Sequence, residues 1–301
     1  LYNAGTFLID KSLMDWTPVM AGTVAVGMLV AFWYVYDIIC RVFGFRENGE
    51  LIVAGLMIVV VGFASWLANE LFAGRAAFLL VGAMIATAMS ANVFFWIIPG
   101  QRKVVAAMTS GETYDANALA IHGKRGKQRS VHNTYFTLPV IFAMLSNHYS
   151  FLYTHEHRWV LLFVMMLAGA LIRQFFVQRH AFHLGRAANP WPFAAVGVVM
   201  IVAVIVALKP AAPVASAAPA APVNFAQVQV LVDKHCLSCH NAQVQMKNVR
   251  LDSPEQLKQH AQNVYQQVAV TKQMPMGNAT GMTDEERAMI GRWFVAGAKI
   301  D

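Results

Sequence analysis

Cys236-Leu237-Ser238-Cys239-His240 decides how the last quarter of the chain folds. Two thiols at this spacing can each form a thioether with one vinyl group of a haem. The histidine directly after them is placed to ligate the iron from one face. The chain therefore reads, at least in part, as an electron carrier holding a c-type haem on Cys236, Cys239 and His240. A zinc pair would want two further thiols or imidazoles nearby, and the only other cysteine, Cys40, is almost two hundred residues away.

A haem iron held by one histidine usually has a second axial ligand, and methionine is the choice that raises the potential. Met274, Met276 and Met282 follow in one segment. Met274 is the expected ligand because it leads a Met-Pro turn after a helical stretch. Met276 is the alternative, and Met282 lies too near the next helix. Around these residues, Phe225, Val228 and Val232 recur at helical spacing. Ser253-Pro254-Glu255-Gln256 and Thr283-Asp284-Glu285-Glu286 read as capping boxes opening two further helices. On the last helix Met289, Trp293 and Ala296 fall on one face, with Ile290 and Phe294 beside them. Helix, haem motif, methionine loop and aromatic terminal helix, in that order over residues 225–301, resemble a class I cytochrome c fold. So few residues make a small core, and a porphyrin would supply much of the missing apolar contact.

The first two thirds of the chain belong to a different solvent. The 301 residues are 57% hydrophobic and only 13% charged, with a mean hydropathy of +0.47. Such a composition is far from that of an ordinary globular domain. Six stretches, at residues 18–40, 51–71, 76–98, 132–151, 159–176 and 191–208, are apolar enough to cross a bilayer at roughly 20 residues each. The expected architecture is therefore all-α: a polytopic transmembrane bundle over residues 1–208, a tether over 209–224, and a small cytochrome c-like domain over 225–301.

Connections around Arg41, Arg46, Arg102, Lys103, the basic run at residues 124–129, Arg179 and Arg186 are rich in cations. The opposite connections carry only Lys11, Arg75, Arg158 and Lys209. The first set should be cytoplasmic, which leaves both ends of a six-span chain outside. A bacterial inner membrane with the haem domain in the periplasm satisfies this, since c-type haem is attached on that face. The sequence pI of 9.4 then arises mainly from inner loops beside lipid and requires no nucleic-acid partner. The alanine- and proline-rich tether is semi-rigid and lets the haem domain swing above the membrane. The chain opens on Leu1 without an initiator methionine, from which an N-terminal truncation is expected.

Ionisable side chains inside a bilayer are costly and mark function by default. The densest run is Lys127-Gln128-Arg129-Ser130-Val131-His132-Asn133-Thr134-Tyr135-Phe136-Thr137-Leu138-Pro139, which enters the fourth span from inside. That span leaves through Ser146-Asn147-His148-Tyr149. His132 and His148 are 16 residues apart, roughly 24 Å along a helix, so they cannot share one metal. Each could instead ligate a separate b-type haem or bind substrate. Arg173, Asn92, Glu70, and the histidines of the 155–157 loop are weaker candidates. Cys40 suggests no chemistry.

Several of these stretches together resemble one family, the bacterial membrane-bound urate oxidases (urate hydroxylases). They are Pro99-Gly100-Gln101-Arg102-Lys103, residues 127–139, Met144 to Tyr149, Leu171-Ile172-Arg173-Gln174-Phe175-Phe176, and the run from Met274 to Thr283. The resemblance covers essentially the whole chain. It implies an eight-span membrane domain with a C-terminal cytochrome c, so that two spans precede Leu1. It also implies oxidation of urate to 5-hydroxyisourate, with electrons leaving through the cytochrome to a respiratory acceptor, a cytochrome c or terminal oxidase. Urate is largely a monoanion at neutral pH, and Arg129, His132, Asn133 and Arg173 have the cationic and hydrogen-bonding chemistry to receive it. A neutral His132 would serve as base. Oxidation on the inner side would face about 30 Å of hydrocarbon, so a b-haem relay at His148 or His132 is expected unless substrate binds outside near Glu70 and His148. The competing readings are a membrane-anchored cytochrome c module and a subunit of a respiratory oxidase complex.

Overall fold

The computed structural model describes residues 4–11, 13–110, 115–208 and 223–300. Among them there are only helices, turns and one isolated bridge between His240 and Gln245. The chain divides into two compact units, Gly22–Lys209 and Leu1–Ala21 with Pro210–Asp301. Most of the expected tether, residues 209–222, lies outside the described residues.

The first unit is built from α1 (Pro18–Phe43), α2 (Gly49–Leu71), α3 (Gly74–Thr109), α4 (Ala116–Leu145), α5 (Arg158–His183) and α6 (Trp191–Ala207). Helix α4 packs against α3 and α5, and α5 in turn against α2 and α6. Small residues allow the close approaches. A Cβ at Gly197 of α6 would sit 2.7 Å from Ile172 Cγ1 and 2.8 Å from the Ala168 carbonyl oxygen of α5, distances no side chain tolerates. Outward, the helices present Leu51, Val59, Phe63, Val199, Ile205 and Val206. Helices that are apolar on the outside as well as the inside are matched to lipid rather than water.

Four helices, α1, α2, α3 and α5, are long and apolar enough to cross a membrane. The other two expected spans differ in kind. Helix α6 is apolar but has 17 residues, about 25 Å at 1.5 Å per residue. Helix α4 carries Lys124, Arg125, Lys127 and Arg129 in its first half, and it ends at Leu145 rather than at residue 151. A 3₁₀ turn at Ser146–His148 takes over there, with Ser146 Oγ donating to the Ala143 carbonyl at 2.6 Å. Helix α3 runs eleven residues past its expected end at 98, because the chain widens into a π stretch at Asn92–Ile97 instead of breaking. Pro99 falls in the first turn after that stretch, where a missing N–H is tolerated.

The second unit contains α7 (Phe225–His235), the short helices Pro254–Gln259 and Ala261–Val264, a π stretch Tyr265–Val270, and α8 (Asp284–Val295). Val228 and Val232 of α7 meet Leu257, Ile290 and Trp293 in its core. The helical spacing read around Phe225, Val228 and Val232 is thus met. Thr283 and Glu286 form a complete capping box, and so do Asn224 and Gln227. Ser253 accepts from the Gln256 N–H without a reciprocal bond, so that box is half made. Ala296 is exposed, not on the core face: α8 stops at Val295, and Gly297 (φ 97°) and Ala298 (φ 50°) turn the chain so that Ala298 fills the core instead.

Candidate functional site

The run at residues 127–139 lies on α4, and its first turn enters a buried polar network with α1, α2 and α3. Arg129 and Asp37, 3% and 4% exposed at their side chains, pair at 2.8 Å. Trp96 Nε1 donates to the same Asp37 oxygen at 2.8 Å, and Arg41 Nε reaches the other at 2.7 Å. The indole of Trp96 lies against the guanidinium groups of Arg41 and Arg129, at 4.9 and 5.3 Å from its centroid. Such cation–π contacts help hold cations in place away from water. The π stretch of α3 supplies both Asn92 and Trp96 to this network, and widened turns of this kind recur at functional sites.

Asn92 connects the ion pair to the histidine. Its Oδ1 accepts from Arg129 Nη1 at 3.4 Å, so its amide nitrogen must donate: to Tyr36 Oη at 2.9 Å and to Asn133 Oδ1 at 2.8 Å. Asn133 donates in turn to the Met89 carbonyl at 3.0 Å. Tyr36 Oη, already accepting from Asn92, lies 3.0 Å from His132 Nδ1. On the other side of the ring, His132 Nε2 lies 3.0 Å from Glu50 Oε2. Gln128 donates to Glu50 Oε1 and to the Gly44 carbonyl, each at 2.9 Å. Only glycine permits that second bond, since a Cβ at Gly44 would stand 2.5 Å from the Gln128 amide. Cys40 Sγ also approaches His132 Nδ1, at 3.6 Å.

A cavity of about 770 Å³ opens beside this network. Its walls are largely apolar, from Phe45, Leu51, Met57, Val131 and Phe136, with Tyr36, Glu50, His132, Gln174 and Gln178 as polar groups among them and Lys124 and Lys127 also bordering it. Tyr135, also in the wall, hydrogen-bonds Gln174. The space could receive a planar polar molecule among amide, phenol and imidazole groups, with ammonium groups beside it.

Arg129, His132 and Asn133 are thus brought together, whereas Arg173 and His148 are not. Arg173 sits on α5 with its guanidinium 6.0 Å from the Phe176 ring, and its buried Nε has no hydrogen-bond partner among the described residues. His148 is exposed in the 3₁₀ turn after α4, at the end where Arg75 contacts Asn147. Arg129 is not an open anion receptor, because Asp37 already neutralises it. The sequence alone does not single out Tyr36, Asp37 or Glu50, presents Gln128 only as a member of the 127–139 run, and suggests no chemistry for Cys40. Asp37 carried a usable signal, a carboxylate within an apolar run. Tyr36 carried none, since its role depends on which helix faces which.

In the second unit, Cys236 is half-buried and Cys239 exposed. Burial, with lesser contributions from Asp233 and Cys239, pushes the Cys236 thiol up to about 11. His240 Nδ1 lies 3.1 Å from the Val249 carbonyl oxygen. A carbonyl can only accept, so Nδ1 carries the proton and Nε2 keeps a free lone pair. Met274 packs half-buried against the core; Met276 is 39% exposed; Met282 is 3% exposed and part of the core. Arg287 clamps the methionine loop by donating to the carbonyls of Val268 (2.9 Å) and Met274 (2.6 Å) and to Asn278 Oδ1 (3.1 Å). Among the described residues no cluster of three or more His, Cys, Asp or Glu side chains could hold a metal ion.

No curated protein and no solved structure matches the chain. Residues 1–208, which include every helix of the polar network and its cavity, match the family described as urate oxidase N-terminal. The chain therefore belongs to the urate oxidase N-terminal family, and with it to the oxidoreductases that act on urate.

Proposed function

We propose that this protein is a membrane-bound urate oxidase that forms 5-hydroxyisourate and exports the electrons through a covalently attached c-type haem. The observation that carries this reading is the coincidence of the family match with the buried network and cavity around His132. Urate monoanion and water give 5-hydroxyisourate, one proton and two electrons. His132 is the base, oriented by the groups on both ring nitrogens. Asn133 and Arg129 act by holding Asn92 and hence Tyr36 in place. The substrate's charge is met by Lys124 and Lys127 and its amide edges by Gln174 and Gln178, while Arg173, outside the cavity lining, has no contact role in this reading.

The donor set of the second unit would suit a c-type haem: Cys236 and Cys239 would hold its vinyl groups, His240 Nε2 would bind its iron, and Met274 would be the second ligand. When bound, such a group accepts one electron at a time and hands it to a respiratory acceptor, a cytochrome c or a terminal oxidase. The excess of basic residues in these connections supports a cavity at the cytoplasmic face of a bacterial inner membrane and a haem unit in the periplasm. In this reading the four long apolar helices span, and so do the short α6 and the second half of α4, which is packed between α3 and α5. In this reading a b-type haem would supply the relay across the membrane. His132 has both ring nitrogens engaged, which leaves His148 as its ligand.

The test is urate added to membranes that contain the full chain, with the c-haem absorption followed in time. Reduction by urate supports the reading, and reduction by dithionite alone, with none by urate, overturns it in favour of a simple anchored cytochrome. His132→Ala should slow urate-dependent reduction about 10²-fold or more. A pyridine haemochrome spectrum with only c-type haem would remove the b-haem relay.

A further inference from the structure

We propose that Glu50 is the positioning and proton-exit residue of a relay, Tyr36 to His132 to Glu50, that carries away the proton released when urate is oxidised. This rests on the urate reading given above. The donors follow from the carboxylate end. Glu50 Oε2 lies 3.0 Å from His132 Nε2, and an ionised carboxylate only accepts, so Nε2 carries the ring proton. A neutral ring then has Nδ1 as acceptor, with Tyr36 Oη as its donor at 3.0 Å and Cys40 Sγ farther away at 3.6 Å. Tyr36 Oη in turn accepts from Asn92, whose Oδ1 is occupied by Arg129. The chain of bonds runs in one direction, from the buried phenol to a carboxylate.

Exposure follows the same gradient. Tyr36 is fully buried, the His132 side chain is 10% exposed, and the Glu50 side chain is 62% exposed. An acidic residue in the first turn of α2 would be favoured by the helix dipole alone. That does not account for both of its oxygens being held from α4, one by His132 and the other by Gln128. Nor is Glu50 neutralised by the buried cation, since Arg129 is paired with Asp37.

In the reaction, oxygen from water bonds to C5 of urate, two electrons go to a one-electron acceptor, which a bound haem would supply, and one proton leaves by the relay. That proton reaches Tyr36 Oη as the phenol's own proton passes to His132 Nδ1. The imidazolium so formed faces the Glu50 carboxylate, which stabilises it as a carboxylate does in a histidine–aspartate pair. The imidazolium then loses one proton through Glu50 to water.

The full chain in membranes, carrying Glu50→Ala, Glu50→Gln or Glu50→Asp, is assayed for urate-dependent c-haem reduction, with haem content and melting temperature as folding controls. The Ala and Gln variants should lose about 10²-fold in kcat while KM stays within about threefold, and Asp should retain much of the rate. Formate should restore a saturable part of the Glu50→Ala rate and leave the wild type unchanged, which a purely structural role would not produce. A Glu50→Ala rate within about twofold of wild type overturns the relay, as does a loss that neither formate nor Asp repairs. Wild-type membranes reduced by dithionite but not by urate would instead overturn the urate reading itself, and the relay with it.

Discussion

Arg129 and Asp37 meet at 2.8 Å where water does not reach. Removing Asp37 strands the buried Arg129, a loss of about 3–5 kcal/mol, whereas without Arg129 the Asp37 carboxylate still has Arg41 and Trp96. Asp37→Leu should therefore lower the melting temperature sharply, and Asp37→Leu with Arg129→Met should recover much of it, as a double-mutant cycle by thermal unfolding in detergent would read. An Arg129 that received urate directly would instead show its loss mainly in KM. At the other functional segment, Arg287 holds the Met274 carbonyl with a planar fork that lysine cannot reproduce. Arg287→Lys should speed amide exchange across residues 274–278. Under the haem assignment proposed above, it should also weaken the methionine-to-iron charge-transfer band of the ferric protein.

Among the elements, α8 is the one whose ends are most fully specified. Thr283 Oγ1 accepts from the Glu286 N–H at 3.2 Å, and Glu286 accepts from the Thr283 N–H at 2.7 Å. Thr283→Ala should cost about 1 kcal/mol, measurable by denaturant unfolding of the full chain followed through Trp293. The Thr283 N–H, then Lys234, hold the Glu286 carboxyl down to about 2, and Lys272 lowers that of Asp284. Because folding lowers these values, their contribution is complete above the ordinary carboxylate range and is lost as pH falls toward 2. Acid titration of stability should steepen below about pH 4.5, and Glu286→Gln should flatten that limb. In the membrane-facing unit, Gly197 sets the α5–α6 distance, and Gly197→Leu should force α6 off α5 and lower expression in the membrane fraction.

For the molecule as a whole, the polar network and its cavity lie at the end of the helical unit that also carries Arg41, Lys124 and Lys127. Under the function and topology proposed above, inverted membrane vesicles, which would expose that face, should reduce the c-type haem with external urate faster than right-side-out vesicles do. Equal rates without a urate carrier, or a faster reaction in right-side-out vesicles, would move the substrate site to the His148 end.

The sequence by itself determined the helical class, the division into an apolar and a polar region, the capped ends of α8 and the Cys236 to His240 motif, because each is local: periodicity, spacing and side-chain chemistry within a few residues. It also marked Arg129, His132 and Asn133, since charge in an apolar run is visible without knowing its partner. Only the tertiary structure decided that Asp37 pairs with Arg129, that Asn92 donates to Tyr36, that Arg173 and His148 stand apart, and that Glu50 completes the histidine. Those relations join four helices over as many as 96 residues of chain. No pattern within one segment encodes them, because which faces meet is settled by packing of the whole bundle.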